Sequence, residues 1–369
     1  MAPPTDFPPL TEADSWAVDR AVYLPLEVWA LIAAFNGLVG AWQLLGLCRA
    51  ARAGANEFLG TLPRLVVCGG YSSAGGRGVV SEVLGLNLAT MRWEAMPALL
   101  RPRQSHACCT VRGAVVVMGG WASGSGILQG QSAPTSRVEM LSRGARAFVE
   151  LPPLSCGEIW GAAAIAVDES HSALGQVILL GGRTEDRTAT SSVRLVDLAT
   201  GVCTLQDELL HARSHFAAAR LPDGSVVCAG GTGGLTTAEI WGGLYQGAHD
   251  VTWTWRELRD MGVERFGCGG CVLSDGRFAV LGGISDVTIE SSGEALTLDD
   301  DEYWSSYPPM HDSRAHFACV AVAKCIIDAG GFPERKSAEV YDEVLGRWLR
   351  LPHDLPHYGG RIHMGSALV

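Results

Sequence analysis

Four histidines and five arginines recur at matching places along the chain, and they are the side chains best suited to chemistry. Neutral imidazoles bind zinc and copper, and a guanidinium group pairs well with carboxylates. The recurring histidines are His106, His215, His316 and His363. The arginines that open the same strands are Arg103, Arg213, Arg265, Arg314 and Arg361. Recurrence favours a structural role for the histidines, each bonded to a neighbouring repeat, over metal binding.

The five arginines allow two interpretations. Because they open equivalent strands, we expect them to surround one mouth of a central channel. They either bind loop carbonyls and acidic side chains between repeats, or face solvent and bind carboxylates of a partner. Two other features favour structure over catalysis: a single Cys268-Gly-Gly-Cys271 pair without a second pair at zinc-site spacing, and Asp328 in an otherwise apolar row. We expect no catalytic residue, metal or cofactor.

Composition narrows the class of partner and the compartment. The chain has 369 residues, with 28 Lys and Arg against 39 Asp and Glu, and a net charge of −11. This balance argues against nucleic acid as a partner. The eleven cysteines lie mostly in apolar runs, and the acidic N-terminus does not read as a secretory leader. We therefore expect a reducing compartment, the cytoplasm or nucleus or both.

The elements that position these side chains are set by an internal repeat. An apolar run ending in a glycine doublet occurs six times, about 50 residues apart. The doublets are Gly69-Gly70, Gly119-Gly120, Gly181-Gly182, Gly230-Gly231, Gly282-Gly283 and Gly330-Gly331. Each is followed by a polar loop, a short strand that often contains Glu, and usually a Trp or another bulky residue. The third unit departs most, since it lacks the Arg-x-His sequence.

Four short strands per unit are typical of a β-propeller blade, and the pattern resembles the kelch repeat. The resemblance implies an all-β fold, a six-bladed kelch propeller spanning residues 61–369. The first unit lacks its own first strand, whereas the chain ends with Arg361-Ile-His363 and a further apolar run. We therefore predict that the C-terminal strand closes the ring by pairing into the first blade, which removes open sheet edges.

Residues 21–60 form a different segment with helical periodicity. Leu24, Val28, Leu31, Ile32 and Phe35 follow one apolar stripe. Asn36-Gly37 predicts the end of a first helix, and a second is expected over about 39–52. The segment resembles an F-box, with Leu24-Pro25-Leu26-Glu27-Val28 followed by Leu47-Cys48-Arg49 at the family's spacing, although Gly37-Leu38 replaces the usual Asp-Pro. Residues 1–20 are expected to be a disordered tail.

Two other interpretations of the N-terminal segment stay open. Residues 28–47 contain no charged side chain over a length that could span a membrane. Asn36, Gln43 and three glycines argue against that, and a purely structural helical hairpin is the third alternative. The F-box resemblance implies contacts with a Skp-type adaptor and, through it, a cullin. The implied adaptor-binding residues are Leu24, Pro25, Val28, Leu31, Ile32, Phe35 and Leu47.

The two resemblances together imply a non-catalytic substrate receptor of a cullin–RING ubiquitin ligase, whose propeller binds the target protein. The target is expected on the face formed by the loops after the glycine doublets. The expected contact residues are Arg103, Trp121, Arg183, Arg213, Arg265, Arg314, Phe332 and Arg361. A kelch scaffold without a ligase role is the main alternative. A kelch-type enzyme is the third, although the chain lacks the Glu-x3-Asp-x3-His set of the iron-dependent members.

Overall fold

The computed structural model describes residues 24–73, 78–123, 132–167, 172–233, 235–246, 250–286, 288–299, 301–356 and 360–369. The expected tail, residues 1–20, lies outside this part of the chain. Within the described ranges two helices come first, α1 (Leu26–Leu44) and α2 (Arg49–Thr61), and all the regular elements that follow are β-strands. The prediction of an all-β body with a small helical segment in front of it is confirmed.

The described strands form six four-stranded antiparallel sheets, numbered here in the order of their second strands. Sheet 1 contains Gly365–Leu368, Leu65–Cys68, Val83–Asn87 and Arg92–Met96, and sheet 2 contains Ala107–Val111, Ala114–Met118, Val138–Leu141 and Val149–Leu151. Sheet 3 contains Ala163–Val167, Gln176–Leu180, Val193–Asp197 and Cys203–Gln206, and sheet 4 contains Ala217–Arg220, Val226–Ala229, Ala238–Gln246 and Asp250–Leu258. Sheet 5 contains Gly269–Val272, Phe278–Leu281, Gly293–Thr297 and Tyr303–Tyr307, and sheet 6 contains Ala318–Val322, Cys325–Ala329, Ala338–Asp342 and Arg347–Arg350.

Smaller sheets are built from the loops that follow three of the doublets. They pair Tyr71–Ser72 with Gly78–Val79, Trp121–Ser123 with both Arg103–Gln104 and Ser132–Pro134, and Ile284–Ser285 with Thr288–Ile289. Each glycine doublet follows the second strand of its sheet, so all these loops lie at the same end of the sheets.

The first strands of the six sheets contact one another in cyclic order, from sheet 1 through sheet 6 and back to sheet 1. The first strand of sheet 1 comes from the end of the chain. In its register Leu65 is opposite Leu368 and Cys68 is opposite Gly365. The C-terminal strand thus supplies the ladder partner that residues 61–64 do not provide, and Leu65–Cys68 has a neighbour on both sides.

The glycine doublets are required where neighbouring sheets meet. Gly119 and Gly120 have φ values of 62° and 89°, a region that is favourable mainly for glycine. A Cβ on Gly119 would lie 2.2 Å from the carbonyl oxygen of Ile159 in the next unit. The Gly120 N–H donates to that same oxygen at 2.8 Å. The doublet therefore allows close backbone contact between adjacent sheets.

Helix α1 is bent at Gly37, whose φ is 75°. Beyond the bend, Leu38 and Trp42 are buried in one apolar cluster with the interiors of sheets 1 and 6. The Leu38 N–H donates to the carbonyl of Ala323 at 2.9 Å, and the Trp42 Nε1–H donates to the carbonyl of Leu88 at 2.8 Å. These contacts lie at the turns opposite the doublet end, so the second half of α1 is anchored to the sheets.

The predicted limits of the second helix are wrong. The chain stays helical after the Gly37 bend to Leu44, turns over residues 45–48, and begins α2 at Arg49. Cys48 caps α2, since its Sγ accepts a hydrogen bond from the Ala51 N–H at 3.4 Å. Among the described residues, no helix is both long enough and apolar enough to cross a lipid bilayer.

Candidate functional site

A closed ring of six backbone hydrogen bonds joins the starts of the sheets. Each N–H donates to the carbonyl of the equivalent residue in the preceding sheet, over distances of 2.7 to 3.0 Å. The ring residues are Ser105, Gly161, His215, Gly267, His316 and His363. All six have φ values between 51° and 67°. The ring fixes one residue of every sheet in the left-handed conformation.

The ring corrects the register of one recurring histidine. Ser105, not His106, is equivalent to His215, His316 and His363, because only Ser105 shares their conformation and their place in the ring. His106 is one residue further along and buried, and within the described part of the chain neither of its ring nitrogens has a hydrogen-bond partner. The expectation that each histidine side chain bonds a neighbouring repeat is therefore wrong for His106, although the backbone of the other three does so.

The three ring histidines lie together. Their imidazoles are packed edge to face or tilted, with centroids 3.9 Å apart for His316 and His363, and 5.2 and 5.8 Å from His215 to these two. Burial lowers the pKa of His215 to about 3 and that of His363 to about 4. Burial, with the neighbouring His363 and His215, also lowers the pKa of His316. All three are thus neutral near pH 7.

The five repeated arginines are buried and ion-paired. Each arginine contacts a glutamate of its own sheet. Four of these glutamates lie on the third strand of the sheet, and the fifth lies just before it. The pairs are Arg103–Glu139, Arg213–Glu239, Arg265–Glu294, Arg314–Glu339 and Arg361–Glu82. The distance is 2.6 Å for Arg213–Glu239 and 2.7 Å for Arg314–Glu339.

The same guanidinium groups also bind the glycine doublets. Arg213 donates from Nη1 to the Gly230 carbonyl at 2.7 Å, and Arg314 makes the same bond to Gly330 at 2.7 Å. Through its own carbonyl, Arg213 accepts from the Gly182 N–H of the preceding unit at 2.9 Å. One residue thus joins two sheets. This geometry matches the first interpretation, in which the arginines bind loop carbonyls and acidic side chains. Because the five arginines are buried, they do not belong to the expected contact surface.

The other three expected contact residues share one position and remain accessible. Trp121, Arg183 and Phe332 each directly follow a glycine doublet, and Phe332 is 41% exposed. The equivalent residues of the other sheets are Tyr71, Thr232 and Ile284, all half-buried. These six side chains, which we call the doublet face, surround the doublet end of the ring.

One part of the doublet face contains a cluster that the sequence did not identify. Trp121 packs edge to face on Trp160, with ring centroids 5.2 Å apart. Arg187 lies over the Trp121 ring at 5.6 Å, a cation–π contact. Arg183 donates to Ser214 Oγ at 3.1 Å and to the Arg187 carbonyl at 3.3 Å. Trp160 directly precedes ring residue Gly161, which is the signal that could have identified it.

The expected adaptor-binding residues divide by exposure. Leu31 is 68% exposed, Phe35 76% and Leu47 52%. Pro25 is also exposed, whereas Leu24, Val28 and Ile32 are half-buried. Lys324 lies over the Phe35 ring at 4.7 Å and donates to the Phe35 carbonyl at 2.8 Å. The first half of α1 therefore presents an apolar surface to solvent while its second half is anchored.

Asp328 is fully buried on the second strand of sheet 6. No described N–H or O–H group lies within hydrogen-bond distance of its carboxylate oxygens. Burial raises the pKa of Asp328 to about 7, opposed by the Arg314 charge and the weakly donating Cys319 thiol. The carboxylate is thus a cost to stability and does not open onto the doublet face.

Comparison with known proteins supports the repeat and the fold. No protein-family profile matches the chain. It is similar to Kelch-like protein 40 of Mus musculus, with 29% identity over 108 residues, which are 29% of this chain and 17% of that protein. The match thus spans about a sixth of that relative. A solved structure titled "Structure of YjhT" has a TM-score of 0.60 at 13% identity, covering 79% of this chain and 98% of the other. These similarities support a kelch-type β-propeller.

Proposed function

We propose that the chain is a six-bladed kelch propeller, closed by its C-terminal strand, that holds a target protein on its doublet face. The cyclic contacts of the six first strands, the ring of six hydrogen bonds and the pairing of Leu65–Cys68 with Gly365–Leu368 support this architecture. Aromatic side chains on the doublet face, with Arg183 and Arg187 beside them, are the residue types that carry binding energy in protein interfaces.

We further propose that the segment 21–60 docks on a Skp-type adaptor, which makes the chain a non-catalytic substrate receptor of a cullin–RING ubiquitin ligase in the cytoplasm or nucleus. The observation that carries this is the apolar surface of Leu31 and Phe35 on a helix whose other half is anchored to sheets 1 and 6. The anchoring turns lie opposite the doublet face. Adaptor and target would therefore bind at opposite ends of the propeller without competing.

The test is co-purification with a matched control. Leu31→Ala with Phe35→Ala removes the two most exposed apolar side chains of α1. Leu205→Ala removes an equally exposed leucine, 68%, from sheet 3. We expect the double variant to lose the adaptor and cullin while keeping its target and its melting temperature, because a few interface side chains supply most of the affinity. Leu205→Ala should behave like wild type.

Two outcomes separate the ligase role from a scaffold role. Wild-type protein that never recovers an adaptor, under conditions where a known F-box protein does, refutes the ligase role. If that protein still recovers a target, and Trp121→Ala abolishes the recovery, the scaffold interpretation is supported. Adaptor binding that survives the double variant would show that the exposed half of α1 is not the docking surface.

A further inference from the structure

We propose that His215, His316 and His363 bind one divalent transition-metal ion, such as Zn²⁺, beside the ring of six hydrogen bonds. One ligand nitrogen from each histidine lies within 4.8 Å of the other two. The three residues come from sheets 4, 6 and 1, which places the site at the centre of the molecule. We expected no metal because four histidines recur at one repeat position. The structure, however, places His106 at a different position from the other three.

The backbone provides a rigid support for the three imidazoles. Each ligand residue is held in the ring by two backbone hydrogen bonds, one donated and one accepted. Two ring positions are glycines, and a Cβ on Gly161 or Gly267 would lie 2.5 or 2.6 Å from the imidazole of His215 or His316. The glycines therefore leave the space that two of the imidazoles occupy. A site on fixed backbone positions is well suited to metal binding.

The separation of the nitrogens is close to that of a metal site. Because 4.8 Å is the upper limit of the three separations, an ion centred between the nitrogens would lie at most about 2.8 Å from each, compared with ~2.0–2.1 Å in zinc–imidazole bonds. A movement of about 0.7 Å by each side chain, achievable by small side-chain rotations, brings the nitrogens into bonding range. Three histidine ligands leave a fourth position for water, as in open zinc sites.

Few hydrogen bonds from the described residues engage the nitrogens of these imidazoles. Among the residues that the structure describes, His363 Nδ1 is buried without a hydrogen-bond partner, and His215 Nδ1 has a single 3.4 Å contact, to Ser214 Oγ. A buried polar atom without a partner is costly, and a metal bond would satisfy it.

The test uses the full chain, freed of metal with a chelator and titrated with Zn²⁺ by calorimetry and with Co²⁺ by absorption spectroscopy. Co²⁺ is included because its spectrum separates imidazole from thiolate ligands, and the chain has eleven cysteines. We expect one equivalent bound through nitrogen, and a higher melting temperature with metal. His316→Ala should weaken binding by at least about tenfold, whereas His353→Ala, at an exposed histidine outside the ring, should leave it unchanged.

A second variant keeps the test decisive if His316→Ala does not fold. Ser105→His places a fourth imidazole at the ring position that already has the conformation of the other three. It should bind metal at least about tenfold more tightly than wild type. Absence of metal binding to wild type, binding only through thiolates, or equal affinity in wild type and both ring variants would overturn the proposal.

Discussion

Asp328 gives the sharpest prediction about stability, because sheet 6 holds a carboxylate where the other sheets have Val67, Val117, Leu179, Cys228 and Val280. Its pKa is raised from the ordinary 3.8 to about 7 by burial. Between these two pH values the folded protein keeps a proton that the unfolded chain has released. The unfolding free energy therefore carries no penalty from Asp328 ionisation below about pH 4, and it falls as the pH rises from there through about 7.

The size of the effect follows from the two pKa values. At ~1.4 kcal/mol per pH unit, the difference between 3.8 and about 7 amounts to about 4 kcal/mol, an upper bound for the ionised form. Asp328→Asn keeps the shape and cannot ionise. We expect it to be about as stable as wild type near pH 4 and about 1–3 kcal/mol more stable near pH 8, since the amide still lacks strong partners.

The assay is urea unfolding from pH 4 to pH 8, followed by the fluorescence of the eleven tryptophans. The measured quantity is the difference in unfolding free energy between variant and wild type, because other groups titrate in both. Asp342→Asn is the matched control, since Asp342 is also buried in sheet 6 but accepts N–H bonds from Val344 and Leu345. A wild-type-to-variant difference that stays constant with pH would refute the reasoning.

Two further predictions concern the ring and its arginines. Deleting residues 361–369 leaves Leu65–Cys68 without its inner partner, so we expect aggregation and a large loss of stability, measured by light scattering and melting; a monomer with unchanged melting temperature would contradict this. Arg213→Ala should lower the unfolding free energy by about 3–5 kcal/mol because it leaves Glu239 buried and unpaired. Arg183→Ala on the doublet face should lower the unfolding free energy by less than about 1 kcal/mol. Equal losses of unfolding free energy in the two arginine variants, measured by urea unfolding, would contradict this prediction.

The sequence predicted the elements whose pattern is local. Each glycine doublet follows the second strand of a four-stranded sheet, including the third unit, which lacks the Arg-x-His sequence. Apolar runs, turn residues and the doublets are set by backbone conformation within one unit, so they are visible in the sequence. The antiparallel partner of Leu65–Cys68 was also predictable, because an unpaired apolar strand needs a partner and the end of the chain offered one.

The exposure of side chains was less predictable. The sequence does not show whether an arginine that pairs with a glutamate on a later strand is buried or exposed. In the structure the five arginines are buried. His106 is displaced by one residue from the position of the other histidines because Ser105, rather than His106, has the positive φ value in its sheet. The sequence does not show which of the two residues adopts it. The position of Trp160 before Gly161 marks the residue, but its contact with Trp121 joins two units, and no pattern within one unit predicts that contact.

Comparison of the six repeats distinguishes positions whose residue type is kept from positions whose residue type varies. The buried positions repeat in type: the glycine doublet occurs in all six sheets, and the arginine–glutamate pair occurs in every sheet except sheet 3. The doublet-face position does not repeat, with Tyr, Trp, Arg, Thr, Ile and Phe in its six copies. Three of the six are aromatic, and they lie in sheets 6, 1 and 2, which are consecutive in the cyclic order. For the proposed target-binding role, this clustering predicts contact with one sector of the doublet face, with Phe332, Tyr71 and Trp121 at its centre, rather than with the whole ring.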